Sequence, residues 1–297
     1  MSEPTQGPTL FGRVCSIQIG TTVPGVNVSI TGLRTKFSIG KSSTHEPNKI
    51  QLEVYNLSQN TRKQLKAQYV PIIVDAGYQN LHSQIFNGTV RAIEHLREGS
   101  EWITKVTGGD GEKPYRLNRI NQSWKPKTPA SVILLQLAQA TGLALGNIPD
   151  VANKGSFRKG MQVFNKGYIA HGPAFSALNT LAHSLGYQLS SQDGVLQMVT
   201  INGSNTNTAV SLNSTSGLVG SPEVNERNLL KVTSLLNGSI YPNRQIKLQS
   251  NNFNGLYATK AVTHKGDTHG KDWFTIALIQ GLANPVPGRP TGGDGGE

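Results

Sequence analysis

The only His/Asp constellation in the 297-residue chain is His264, Asp267, His269 and Asp272. Two imidazoles with a carboxylate form the donor set of a transition-metal site. Gly266-Asp267 and His269-Gly270 are also turn formers, so a hairpin loop accounts for the same spacing without a metal. Asp110 and Glu112, set among Gly108, Gly109 and Gly111, suggest a calcium loop. The regular alternation of oxygen ligands is missing there, and a turn is expected instead. The chain has no Gly-x-Ser-x-Gly elbow, no Gly-x-x-x-x-Gly-Lys-Ser/Thr loop and no His-Glu-x-x-His helix. Its 17 acidic residues show no pairing that nominates a glycosidase dyad. The expectation is a protein that is not an enzyme and holds no cofactor or metal.

What remains are residues suited to touching another protein. Trp124 stands between Ser123 and Lys125-Pro126 in a basic loop, and with Lys125 and Lys127 it is a candidate partner contact. Arg62 and Lys63 lie on an expected short helix and are candidates of the same kind, unless that helix simply covers its own core. Trp102 and Trp273 fall within strand patterns and are expected in the interior.

Net charge is +11 with a pI near 9.8. Such a balance suits nucleic acid, an anionic membrane or an acidic protein. The cations are scattered, and the densest stretch, 116–127, is interrupted by Pro126, so a solvated or acidic-partner-facing surface is favoured over a phosphate-binding patch. A single cysteine, Cys15, excludes an internal disulfide or a Cys-based zinc cluster. No apolar run approaches the roughly 20 residues of a membrane span and no signal-like start is present, so the expectation is a soluble chain made in a cytoplasm.

The elements that must position these residues are mostly strands. Val26, Val28 and Ile30, then Phe37 and Ile39, then Ile50, Leu52 and Val54 alternate with period two. Ser58 offers an N-cap to a helix over 59–68. Strand signals resume at 72–74, at 85–93 with a turn-prone Asn87-Gly88, and at 102–107. A small antiparallel barrel over 10–115 is expected. Residues 116–205 read as an α+β middle domain. Its helices over 130–141 and 174–184 stop near Gly142 and Gly186, each is followed by an expected strand, and an Asp193-Gly194 hairpin comes after the second. The shared Leu-Ala-x-x-x-Gly-x-x-Leu pattern hints at a duplicated helix-strand unit. After a polar linker at 202–207, strands at 229–236, 245–250, 255–265 and 273–280 suggest a second barrel over 206–284. Residues 1–9 are expected to be flexible and 285–297 disordered. The fold class is therefore α+β, mainly β, with two barrels flanking a helix-containing middle.

Several of these segments, taken in order, resemble phage baseplate hub proteins, a group that includes late control protein D and the hub-like N-terminal part of the VgrG spikes of type VI secretion. The residues are Glu46-Pro47-Asn48, Val54-Tyr55-Asn56-Leu57-Ser58 with Thr61-Arg62 and Leu65, Asp75-Ala76-Gly77-Tyr78, Ile85-Phe86-Asn87-Gly88, and Trp102-Ile103-Thr104 running into Gly109-Asp110-Gly111-Glu112. A second zone runs from Gly255-Leu256-Tyr257 through His264-Lys265-Gly266-Asp267 to Trp273-Phe274-Thr275. The resemblance implies a homo-oligomer, expected to be a trimer, in the virion tail baseplate. Its ring of six similar barrels would join the six-fold tail tube to a three-fold central spike, with the middle domain facing the spike. The implied partners are a tube or tube-initiator protein, the spike and baseplate wedge proteins, with DNA only in transit through the lumen and no membrane. A basic nucleic-acid-binding β-barrel protein and a cell-wall-binding or hydrolysing tail protein are the rival readings.

Overall fold

The computed structural model describes residues 11–20, 27–44, 46–65, 69–111, 115, 117–201, 203–204 and 209–282. The segments expected to be flexible (1–9) or disordered (285–297), Glu112 and most of the linker at 202–207 lie outside them. Among the described residues, no helix is long and apolar enough to cross a membrane.

The first lobe comprises β1 (Arg13–Ile19), β2 (Val28–Thr31), β3 (Thr35–Ser42), β4 (Lys49–Tyr55), α1 (Gln59–Gln64), β5 (Pro71–Tyr78), β6 (Leu81–Glu98) and β7 (Glu101–Gly109). Alternation along β3 and β4 puts Phe37, Ile39, Ile50, Leu52 and Val54 into one cluster, to which every strand of the lobe contributes. Each such side chain, fully buried, is worth about 1.5–3 kcal/mol. Ser58 caps α1 by accepting from the Thr61 N–H at 3.1 Å. The helix is shorter than the expected 59–68 because Leu65 turns into the core at its end. Asn87-Gly88 is not a turn. Asn87 sits opposite Ile73 in the β5–β6 ladder, and Gly88 is required because a Cβ would meet the Gly109 carbonyl and the Phe86 ring. Cys15 is an ordinary strand residue opposite Ala76, and burial pushes its thiol up to about 12.

The middle lobe contains β8 (Arg119–Trp124), β9 (Thr128–Pro129), α2 (Ala130–Ala140), α3 (Ile148–Lys154), β10 (Val163–Phe164), β11 (Tyr168–Pro173), α4 (Ala174–Ser184), β12 (Tyr187–Gln192) and β13 (Val195–Thr200). Helices α2 and α4 each follow a proline at the cap, bury Leu and Ala against one another, and are followed by Gly142 and Gly186 at positive φ. The strand expected after α4 forms as β12. The one expected after α2 does not: Ala144 makes a single bridge to Val195 before Gly146 turns the chain at φ 55° into α3. Gly146 packs so close to the Leu196 carbonyl that no Cβ fits.

The last lobe is made of β14 (Val210–Leu212), β15 (Leu218–Val224), β16 (Leu230–Leu235), β17 (Gln245–Gln249), β18 (Asn254–Asp267) and β19 (Trp273–Gly281), with a third cluster around Ile246, Leu248, Val262 and Ile279.

The chain is mainly β, but the two closed barrels expected from the sequence do not form among the described residues. The strands of the outer lobes make one open sheet, ordered β15-β16-β19-β18-β3-β4-β7-β6-β5-β1-β2, with β17 also on β18 and β14 parallel to β17. The edge of β3 that would close the first lobe instead carries β18, from Ala261 opposite Ser42 to Asp267 opposite Lys36. The first half of β18 pairs with β17, its second half pairs with β3, and a bulge at Lys260 separates the two. One long strand thus joins the two outer lobes through its hydrogen bonds.

Candidate functional site

The four-residue metal candidate is dismantled by the pleat of β18. Successive strand residues point to opposite faces, so His264 and Asp267, three apart, cannot converge. His264 faces inward, opposite Ile39, with its Nδ1 2.9 Å from Thr275 Oγ1. Burial, and after it the Lys41 charge, lowers its pKa to about 3. Asp267 turns the other way and accepts from Arg34 at 3.2 Å and from the His269 backbone N–H at 3.0 Å. His269 and Asp272 are exposed in the turn, and no group of three potential ligands gathers among the described residues.

Arg62, one of the expected contacts, is occupied within its own lobe. Its guanidinium lies 3.7 Å from the centroid of the Trp102 ring. Trp102 is not the core residue anticipated: it continues the inward face of β7 past the end of the core, is 36% exposed, and is covered by Arg62. Lys63 projects outward. Trp273 is buried as expected, edge-on to Phe37 at 5.5 Å, with its Nε1 donating to the Gly77 carbonyl.

Trp124 also turns inward. Its Nε1 donates to Gln136 Oε1 of α2 at 2.5 Å and its ring packs near Tyr168, so it braces the middle lobe. Lys125 and Lys127 beside it are exposed. The five contact candidates therefore divide: Arg62 and Trp124 are held by intramolecular partners, whereas Lys63, Lys125 and Lys127 face solvent in two separate lobes.

Sequence reasoning missed a buried polar latch between the first and middle lobes. The Asp193-Gly194 tip of the β12–β13 hairpin enters the first lobe. Lys41 Nζ lies 2.8 Å from both Asp193 carboxylate oxygens, and the Asn87 N–H donates to Asp193 at 2.9 Å. Asp110, fully buried, accepts from the Gly194 N–H, Ser191 Oγ and Asn48 Nδ2. Asn48 also donates to Gln192 and to the Ser191 carbonyl. Burial, and after it the Asp193 charge, raises the Asp110 pKa to about 6. A raised carboxyl pKa is a common mark of an acid catalyst, but Asp110 is sealed from solvent by its own hydrogen-bond partners, and its chemistry is that of a joint. The turn-forming Asp193-Gly194 and the Gly-Gly-Asp-Gly run around Asp110 were the legible signals; that they meet was not.

One surface of the middle lobe stands open. Strands β8 and β11 form a two-stranded ribbon with no further strand on either side among the described residues, and Ile169, opposite Ser123 near one end of it, is 75% exposed. A shallow depression there is lined by Arg119, Ile120, Asn121, Ile169, His171 and Gly172.

No family model matches the chain, and no curated protein matches it by sequence. Solved structures do. The prophage MuSo2 43 kDa tail protein from Shewanella oneidensis superposes with a TM-score of 0.62 at 11% identity, covering 91% of this chain and 97% of that one. A tail protein from Neisseria meningitidis MC58 gives 0.61 at 10% identity, covering 91% and 96%. An E. coli type VI secretion component, described as structurally similar to the bacteriophage T4 tail proteins gp27 and gp5, gives 0.56 at 11% identity, covering 92% and 79%. At these identities the likeness is one of fold, and it extends over nearly the whole chain.

Proposed function

We propose that the protein is a structural hub subunit of a phage-type tail baseplate, a homotrimer whose ring joins the tail tube to the central spike. The observation that carries this reading is the β18–β3 ladder, which fuses two β lobes of one chain into a single sheet. Three such chains offer six β lobes on a three-fold axis, a geometry that meets a six-fold tube on one side and a three-fold spike on the other. The fold shared with phage tail and type VI secretion proteins supports it.

In this reading the three lobes divide the labour. The outer lobes, over 10–115 and 206–284, form the ring, and the middle lobe, over 116–205, faces the spike. The latch holds the middle lobe at a fixed angle to the ring. Tube or tube-initiator, spike and wedge proteins are its partners in the virion, and DNA crosses only the lumen. In this reading the protein acts by position rather than by catalysis, and the strongly raised carboxyl of Asp110 is locked inside a joint. Negative-stain images of the purified protein test this directly: three-fold rings with six peripheral lobes are expected, and isolated elongated particles at every concentration contradict it.

A further inference from the structure

The open ribbon of the middle lobe is positively charged as well as free of further strands at its edges among the described residues. Residues 117–201 carry seven Lys/Arg against two Asp, and one of those, Asp193, is tied to Lys41 in the latch. Within the ribbon and its flanks, 117–129 and 161–173, the cations are Arg119, Lys125, Lys127 and Lys166, and there is no carboxylate. Ile169 stands opposite Ser123, and His171 opposite Asn121. An isoleucine is left uncovered among small polar side chains, inside a rim of positive charge. An apolar centre with a polar rim is the anatomy of a protein contact, and free strand edges accept an added extended segment.

We infer that this ribbon docks an acidic protein segment, laid along β8 and β11 with apolar contact at Ile169 and carboxylates toward Arg119, Lys125 and Lys127. Nucleic acid is the less suitable occupant. Binding to single strands relies on aromatic faces turned to the ligand, and here Trp124 and Tyr168 both pack inward against the helices. The absence of any acid from the ribbon selects against basic partners, because a like charge brought against it goes uncompensated. The inference rests on the hub reading only for the partner's place in the particle, where the segment belongs to the spike.

The test uses the full chain and three soluble peptides, alternating Thr with Glu, Gln or Lys, together with a single-stranded DNA oligonucleotide. Binding is read by fluorescence anisotropy at low and high salt. The Glu peptide binds and the Gln and Lys peptides bind far more weakly. Its affinity falls with salt, and Lys125→Glu combined with Lys127→Glu weakens it about tenfold, as two exposed ion pairs imply. Ile169→Asp weakens it as well, and because Ile169 is exposed this variant keeps the wild-type thermal unfolding midpoint. Equal binding of the Glu and Gln peptides, no binding of the Glu peptide, unaltered binding by the variants, or binding of DNA alone overturns the inference. The assay does not depend on ring formation, so a trimer that fails to bind the Glu peptide refutes the docking face alone.

Discussion

Lys41 of β3 and Asp193 of the β12–β13 tip, 152 residues apart in sequence, form a two-oxygen ion pair at 2.8 Å whose lysine side chain is 3% exposed. A buried pair gains little over an apolar replacement of both partners, but losing one partner is costly. Lys41→Met leaves the Asp193 charge beside Asp110. Because Asp193 is 28% exposed, the loss is about 2–3 kcal/mol, below that of a fully buried pair. Adding Asp193→Asn recovers part of it. Urea unfolding of the two single variants and the double variant measures the coupling.

Two buried groups near this joint give opposite pH dependences. The Asp110 pKa is raised from 3.8 to about 6, so its favourable contribution is fully present below the ordinary carboxylate range and is lost as pH rises through about 6. The His264 pKa is lowered from 6.5 to about 3, so its contribution is present above 6.5 and is lost as pH falls toward 3. Lys41, Asp193 and Thr275 are the groups facing them. In the wild type the two slopes oppose one another between about pH 4 and 6.5. Asp110→Asn leaves only the histidine slope. Its unfolding free energy from urea titration therefore falls more steeply on acidification than that of the wild type, by up to about 3 kcal/mol across the range at 1.36 kcal/mol per pKa unit. Parallel profiles for the two proteins would remove Asp110 from the account.

Gly266 lies in the β18–β3 ladder opposite Phe37, where a Cβ would stand inside contact distance of the Phe37 and Trp273 rings. Gly266→Ala is expected to cost about 1–3 kcal/mol by overpacking. Thermal unfolding of the variant reads this, and its light-scattering mass shows whether disturbing the seam between the lobes also weakens assembly.

The candidates near residue 124 separate by stability. Trp124→Phe loses the bond to Gln136 and about 1 kcal/mol. Lys125→Glu with Lys127→Glu, both exposed, leaves stability within about 0.5 kcal/mol. Unfolding midpoints that rank the other way would return Trp124 to the surface.

Local chemistry was legible where the period was strong. The alternation through Phe37, Ile39, Ile50, Leu52 and Val54, the Ser58 cap, and both middle helices with their closing glycines could be read from residue types. So could α3, unnoticed though Pro149 at its start and Gly155 after its end mark it. Pairing was not legible. Nothing local in Thr35–Ser42 says that its second edge takes residues 261–267 rather than closing a barrel, because a strand pattern fixes which face is buried and leaves the neighbour open. The metal candidate failed for a local reason that strand parity supplies once β18 is extended to Asp267. The latch was hidden because Asp110 and Asp193 read as turn residues, and Lys41 and Asn48 carry no local signal of their pairing until the hairpin brings all four together.

The measurement that bears most directly on the hub reading is the mass of the purified protein by light scattering over a wide range of concentrations. A trimeric hub gives three times the chain mass of 31.9 kDa, persisting on dilution as an obligate interface of about 2,000 Å² or more should. A mass of 31.9 kDa at every concentration would contradict it.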